Sequence, residues 1–76
     1  MITGTVLCFG ARGFGFAETD GDHLNVFVHI SDVKGSRFLH EGDRISFKVV
    51  PSARHSGKLD AKNVEFIEPA SNGGGR

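Results

Sequence analysis

Arg12-Gly13-Phe14-Gly15-Phe16 is the stretch that decides the fold of this chain, and Val26-Phe27-Val28-His29-Ile30-Ser31 is its counterpart a few residues further on. Alternate side chains of a β-strand point to opposite faces, so each stretch, as a strand, carries its rings on one side only. Phe14 and Phe16 share one face of the first strand, and Phe27 and His29 share one face of the second. The pattern predicts two neighbouring strands that each present an aromatic face.

The opposite parity of these strands predicts which face is buried. Val26, Val28 and Ile30 form a β-branched row of the kind that strands turn toward a core, which assigns the ring face to solvent. Gly15 and Ala17 bury little surface, but they allow another backbone to approach closely. If the two strands pair as a hairpin, three phenyl rings and one imidazole form an exposed platform. Stacking of bases on such rings contributes roughly 1 to 3 kcal/mol each, so the platform points to unpaired nucleic acid.

Length and charge exclude several classes of protein. The chain has 76 residues, enough for one small domain, and nine Lys and Arg balance nine Asp and Glu. This balance argues against indiscriminate binding of duplex phosphates or membrane surfaces, where a basic excess is usual. No apolar run approaches the roughly 20 residues that span a bilayer, and the region after Met1 does not resemble a signal peptide. Cys8 is the only cysteine, so no intrachain disulfide can form, and we expect a monomer in a reducing, cytoplasmic environment.

Five short segments have the composition of β-strands, and glycine-rich turns separate them. Asp20-Gly21 is a strong hairpin signal between the second and third strands. The fourth strand alternates, with Ile45, Phe47 and Val49 directed inward. Because no segment of useful length has helical periodicity, the pattern favours an all-β fold, a five-stranded antiparallel barrel whose closure removes exposed sheet edges. The predicted strands cover residues 2–9, 13–19, 25–30, 44–50 and 59–67, the last of them irregular near Asn63.

Two segments lie outside these strands. The connection 32–40 is long enough for a helical turn, and Phe38 and Leu39 could hold it to the barrel. Residues 68–76 contain three consecutive glycines and are predicted to form a flexible tail after a single domain at 1–67.

The same residues resemble a known family, the cold-shock domains, over nearly the whole chain from Gly4 to Val64. The two ring-bearing stretches are similar to the first and second ribonucleoprotein motifs of that family. The resemblance implies a barrel of the oligonucleotide/oligosaccharide-binding (OB) type that holds single-stranded RNA or DNA. It also implies a role as an RNA chaperone, transcription antiterminator or translation regulator in a stress response. Further shared features are Gly4-Thr5-Val6, Glu41-Gly42-Asp43 before Ser46-Phe47, and Ala61, Asn63 and Val64.

The chain also departs from the pattern of that family. Most bacterial members have a Lys-Trp-Phe-Asn run in the first strand, where this chain has Leu7-Cys8-Phe9-Gly10. The main stacking ring of the family and its neighbouring cation are therefore absent, and the cysteine is similar to that of animal calcium-regulated heat-stable proteins. An alternative function is a protein-interaction barrel with weakened or lost nucleic-acid affinity. An RNA-recognition motif is disfavoured, because that fold needs two helices between its strands.

The candidate site combines rings and cations. Phe14, Phe16, Phe27 and His29 are predicted to stack on bases, although His29 could instead bond a neighbouring backbone group. Phe9 and Phe38 are candidates for either the core or the rim of the platform. Arg12 could contact phosphate, and the loop between the last two strands carries Arg54, His55 and Lys58, which could frame a ligand groove.

Catalytic and metal chemistry find little support in the sequence. The four histidines and Cys8 lie on separate segments with no closely spaced pair of ligands, so no metal or other cofactor is predicted. A Cys8 and His29 dyad has no orienting carboxylate or substrate pocket, and we therefore predict neither an enzyme nor a small-molecule substrate. The alternative role for Cys8 is a redox-sensitive thiol at the binding face.

Overall fold

Five strands close into one barrel in the computed structural model, which describes residues 1–70. The predicted barrel is confirmed. Around it the strands follow the order β1, β2, β3, β5, β4. The connection after β3 contains two short 3-10 turns, and no helix of the described residues is long and apolar enough to cross a membrane. The strands are β1 (Ile2–Phe9), β2 (Phe14–Thr19), β3 (Asn25–His29), β4 (Arg44–Pro51) and β5 (Leu59–Glu68).

Four of the five pairs of neighbouring strands are antiparallel. The exception is the seam between β3 and β5, where Phe27 and Asp60 form a parallel pair. A separate parallel bridge joins Val33 and Val64 just beyond β3. The seam therefore closes the barrel with few backbone pairs, and it brings β5 beside the ring-bearing face of β3.

The core follows the predicted alternation. Val26 and Val28 of β3 are buried, as are Ile45 and Phe47 of β4, while Val49 packs against them partly buried. Leu39 is also buried and holds the connection to the barrel, as expected. Because the aliphatic parity of β3 fills the interior, the opposite parity must face outward.

Several strand ends differ from the prediction for local reasons. Gly13 has φ of 91°, outside the strand region, so β2 begins one residue later. Ile30 opens the first 3-10 turn, so β3 ends at His29. Glu68 was predicted to begin the tail, but it pairs with Arg44 and extends β5. Residues 71–76 of the predicted tail lie outside the described residues.

Asn63 marks the predicted irregularity of β5. Its φ is 53°, and the pairing with β4 shifts between Ser46 and Lys48 at the same place. The strand bends there, which is how a bulge helps a sheet to curve into a barrel.

Gly15 explains the small residue between the two rings of β2. It pairs with Phe9 of β1 and is buried. A Cβ atom at this position would lie 2.7 Å from the Cα of Phe9 and closer still to the carbonyl oxygen of Cys8. Only glycine permits this approach of the two backbones, as the sequence predicted.

Arg44 ties the turn after β2 to the rest of the barrel. Its Nη1 and Nη2 donate to the two carboxylate oxygens of Asp20 at 2.8 and 2.6 Å, and Nη1 also donates to Thr5 Oγ1. Thr3 donates a further hydrogen bond to Asp20 at 2.7 Å. The Arg44 bonds, followed by the one from Thr3, hold the pKa of Asp20 well below its ordinary value.

Candidate nucleic-acid interface

The β2–β3 hairpin assembles the predicted rings into one row. Its register places Phe14 opposite His29 and Phe16 opposite Phe27, so all four side chains lie on one face. Phe27 is central, with its ring centroid 5.9 Å from that of Phe14, 5.8 Å from that of Phe16 and 6.4 Å from that of His29. We call these four side chains the ring row.

The ring row faces solvent although its rings are apolar. Phe14 is 39% exposed and Phe16 is 45% exposed, whereas Phe27 is half-buried between them. The rings cannot turn inward, because Gly15 and Ala17 on the opposite parity of β2 pack against neighbouring backbone and core. Contiguous exposed rings of this kind mark an interaction surface.

His29 is fixed in orientation by the turn that follows it. The backbone N–H of Ser31 donates to His29 Nδ1 at 3.1 Å, and Ser31 Oγ lies 2.9 Å from the same nitrogen. Since Nδ1 accepts a backbone hydrogen bond, the neutral ring carries its proton on Nε2. His29 therefore bonds a neighbouring backbone group, as one of the two interpretations predicted, and its ring lies beside that of Phe27. Stacking of a base on this ring stays a prediction.

A groove of about 530 Å³ lies at one end of the ring row. Phe16, Phe27 and Leu59 supply its apolar lining, and His55 and Lys58 come from the loop between β4 and β5. Backbone hydrogen bonds inside that loop hold its shape: the Ser52 N–H donates to the Lys58 carbonyl oxygen at 2.9 Å, and the Lys58 N–H donates to the His55 carbonyl oxygen at 3.1 Å. The loop thus places a cation beside stacked rings, which suits a strand with alternating bases and phosphates.

The other predicted cations lie apart from this groove. Arg54 belongs to the same loop and is exposed, but it does not line the groove. Arg12 is exposed in the turn that precedes Phe14. It therefore lies near the Phe14 end of β2, whereas the groove lies beside Phe16. The structure therefore places Lys58 in the groove with the rings of Phe16 and Phe27, and it places Arg12 and Arg54 outside the groove.

Phe9 and Phe38 form a separate aromatic pair. Their ring centroids are 5.9 Å apart in an edge-to-face arrangement. Phe9 packs against the core, since its partner on β2 is Gly15 on the inward parity, while Phe38 is 49% exposed. Of these two candidates, Phe38 is the one that offers an open ring to a ligand.

Two polar residues of the groove were not among the predicted site residues. Asn25 shares the parity of Phe27 and His29 on β3, so the alternation of the sequence could have identified it. Asp60 enters the groove through the parallel pairing of β5 with Phe27, for which the sequence carries no local signal.

Side chains that could bind a metal ion do not cluster in the part of the chain that the structure describes. Residues 1–70 contain no group of three or more His, Cys, Asp and Glu side chains that could hold an ion. Two other cations contact groups of the protein itself: Lys62 Nζ lies 3.3 Å from Asp32 Oδ1, and Arg37 lies 3.7 Å above the ring of Phe66.

Comparison with known families decides the identity of this barrel. Residues 2–67 match the family described as "'Cold-shock' DNA-binding domain". The chain belongs to the cold-shock domain family. Single-stranded nucleic-acid binding, the function predicted from the ring-bearing motifs, is the function of this family.

Relatives span nearly the full length of this cold-shock domain. The chain is 47% identical over 68 residues to "Probable cold shock protein y4cH" of Sinorhizobium fredii, covering 86% of this chain and 97% of that protein. It is 40% identical to "Cold shock protein CspA" of Rhizobium meliloti, covering 84% and 96%. The solved structure "drosophila Unr CSD456" superposes with a TM-score of 0.67 at 25% identity, over 95% of this chain and 29% of that one.

Cys8 occupies a specific place in this cold-shock domain. It pairs with Phe16 across β1 and β2, directly after a shift of register that leaves Leu7 as an extra residue. Side chains opposite each other in an antiparallel pair share a face, so the exposed thiol of Cys8 lies on the same face as the ring row, next to Phe16. A thiol offers no ring to a base, so the ring row of this chain ends at Phe16.

Proposed function

We propose that this cold-shock domain binds unpaired RNA or DNA by stacking bases on Phe14, Phe16, Phe27 and His29. The observation that carries the proposal is the unbroken ring row, with adjacent centroids about 6 Å apart and its two outer phenyl rings open to solvent. Each base stacked on such a ring contributes about 1 to 3 kcal/mol. A ligand that spans the row can therefore bind without the missing Trp.

Charge has a secondary role in this proposal. The formal net charge is zero, and among residues 1–70 Lys58 is the Lys or Arg side chain that lines the groove. Arg12 and Arg54 flank the row and would contact phosphates as the strand enters and leaves. Because few counterions are released, we expect the affinity to fall only shallowly with salt. Duplex should bind poorly, since its bases are already stacked.

The test is fluorescence anisotropy of a labelled thymidine heptamer at low and moderate salt, with an RNA heptamer and a duplex of equal length in parallel. We expect saturable binding of the single strands. Phe27→Ala should weaken it by about 1 to 3 kcal/mol, since this ring contacts every other member of the row. Phe14→Ala should have a smaller effect, because Phe14 lies at one end of the row.

Ile67→Ala is the matched control, because it removes an exposed apolar side chain of β5 outside the groove. It should leave the affinity unchanged. If Phe14→Ala and Phe27→Ala bind as the parent does, stacking on the ring row is wrong. If neither the thymidine nor the RNA heptamer binds at high micromolar protein, the alternative of a protein-interaction barrel is favoured, for which the missing Trp and the zero net charge are the motivation.

The cellular setting is part of the same proposal. An RNA chaperone or a regulator of transcription or translation must bind single strands reversibly and with weak base selectivity, and stacking provides this kind of binding. We propose that the protein acts in the cytoplasm as a monomer that performs no catalysis. Sedimentation or size-exclusion measurements with and without a heptamer test the oligomeric state.

A further inference from the structure

Asp60 places a carboxylate in the groove at the end of the ring row. It lines the groove together with Phe16 and Phe27, and it forms the parallel pair with Phe27 that closes the barrel. Its side chain is half-buried. Within residues 1–70 no side chain or backbone group donates a hydrogen bond to this carboxylate, and no cation forms an ion pair with it, although Lys58 lines the same groove. Both carboxylate oxygens are therefore free to accept hydrogen bonds from a ligand that enters the groove.

An ionised carboxylate has two coplanar acceptor atoms and no donor. The base that matches it must therefore present two donors side by side on one edge. Guanine does so through N1–H and the N2 amino group. Uracil and thymine present a single N3–H between two carbonyl oxygens that repel the carboxylate, while adenine and cytosine present one amino group beside an unprotonated ring nitrogen.

We propose that Asp60 makes this groove a guanine subsite, in which the base stacks on Phe27 or Phe16 and its Watson–Crick edge donates twice to the carboxylate. This inference rests on the proposed binding of single strands by the ring row. It assigns base selectivity to a residue of β5, whereas the rings of β2 and β3 stack on any base. Asn25, which lines the same groove, carries an amide N–H that can serve guanine O6.

The test uses a series of thymidine heptamers that carry a single guanine at each successive position, compared with the all-thymidine heptamer by anisotropy. At the position that reaches the groove, we expect guanine to bind about 5 to 10 times more tightly, the lower range for a bidentate contact to a base. At that position, inosine lacks the N2 amino group and should lose most of the gain. The 7-deazaguanine analogue keeps the Watson–Crick edge and should retain it.

The matching protein variant is Asp60→Asn, which keeps the shape of the side chain and replaces one acceptor oxygen by a donor. We expect it to abolish the preference for guanine and to bind the all-thymidine heptamer at least as tightly as the parent does. Glu65→Gln, an exposed residue on the same strand outside this groove, removes the same charge and should preserve the preference.

The outcomes separate this proposal from the one on which it rests. If guanine gives no gain at any position, or if inosine and guanine bind alike, the guanine subsite is wrong while binding by the ring row stands. Because the inosine comparison uses the unaltered protein, it decides the matter even if Asp60→Asn fails to fold. If no heptamer binds, both proposals are wrong.

Discussion

Gly15→Ala is the substitution that most directly probes how the ring row is built. The new Cβ would lie 2.7 Å from the Cα of Phe9 and 2.8 Å from the carbonyl carbon of Cys8. Ordinary van der Waals contacts of a Cβ atom begin near 3.4 Å. The obstacles are backbone atoms of β1, which cannot rotate away as a side chain could. The two strands must therefore separate by well over half an ångström along the segment that holds Phe14 and Phe16.

The cost follows from what that separation breaks. Overpacking a well-packed interior typically costs 1 to 3 kcal/mol, and we expect about 3 kcal/mol here because the clash is with backbone on a paired strand. Small domains lie near the lower end of the usual stability of 5 to 15 kcal/mol. For a domain of this size, each kcal/mol lowers Tm by about 4 to 8 °C, so Gly15→Ala should lower it by about 12 to 24 °C.

Thermal and urea unfolding followed by circular dichroism measure this effect. Gly10→Ala is the control, since a Cβ at Gly10 meets its nearest neighbour at an ordinary 3.7 Å and its φ is not positive. It should unfold within about 0.5 kcal/mol of the parent. A Gly15→Ala protein of unchanged Tm would refute the reasoning, because β1 and β2 would then not approach as closely as described.

Three further predictions concern other parts of the barrel. Asp20→Asn should destabilise the protein at neutral pH, and the difference in Tm from the parent should shrink as the pH falls below about 4. The reason is that Arg44 lowers the pKa of Asp20 in the folded state. The stability that the ionised Asp20 contributes is therefore present above the ordinary pKa of the carboxyl group and is lost on acidification. A pH-independent difference would contradict this. Phe47→Ala should cost about 3 to 5 kcal/mol in urea unfolding, because its ring is wholly buried; a loss below 1 kcal/mol would contradict the assigned core. Cys8→Trp should tighten binding of a thymidine heptamer about fivefold or more, because it adds a ring opposite Phe16. An unchanged Kd would show that a ring at position 8 does not contact the bound strand.

The sequence predicted the ring row because its signal is local. The period of two in Val26, Phe27, Val28 and His29 separates a core face from a solvent face within a single strand. The turn signal at Asp20-Gly21 then joins that strand to β2 in one register. Each of these steps depends on residues close together in the chain, so no knowledge of the remaining fold was needed.

Other features depend on contacts between distant parts of the chain. Asp60 reaches the groove only because β5 closes the barrel beside β3, and composition does not reveal that closure. The sequence could not say whether Phe9 belongs to the core or to the rim of the platform. The shift of register after Val6 pairs Phe9 with Gly15, and Phe9 therefore packs against the core. The end of β5 was predicted one residue early, because the pairing of Glu68 with Arg44 is likewise a contact across the barrel.

The groove lies across the seam between β3 and β5. One side of the groove belongs to Phe27 and the other to Asp60, the pair that joins these two strands. A base that stacked on Phe27 and donated hydrogen bonds to Asp60 from its Watson–Crick edge would link β3 to β5 where the barrel has the fewest backbone pairs. Because such a ligand binds only when β3 and β5 are joined, its binding would stabilise the folded barrel against separation of these two strands.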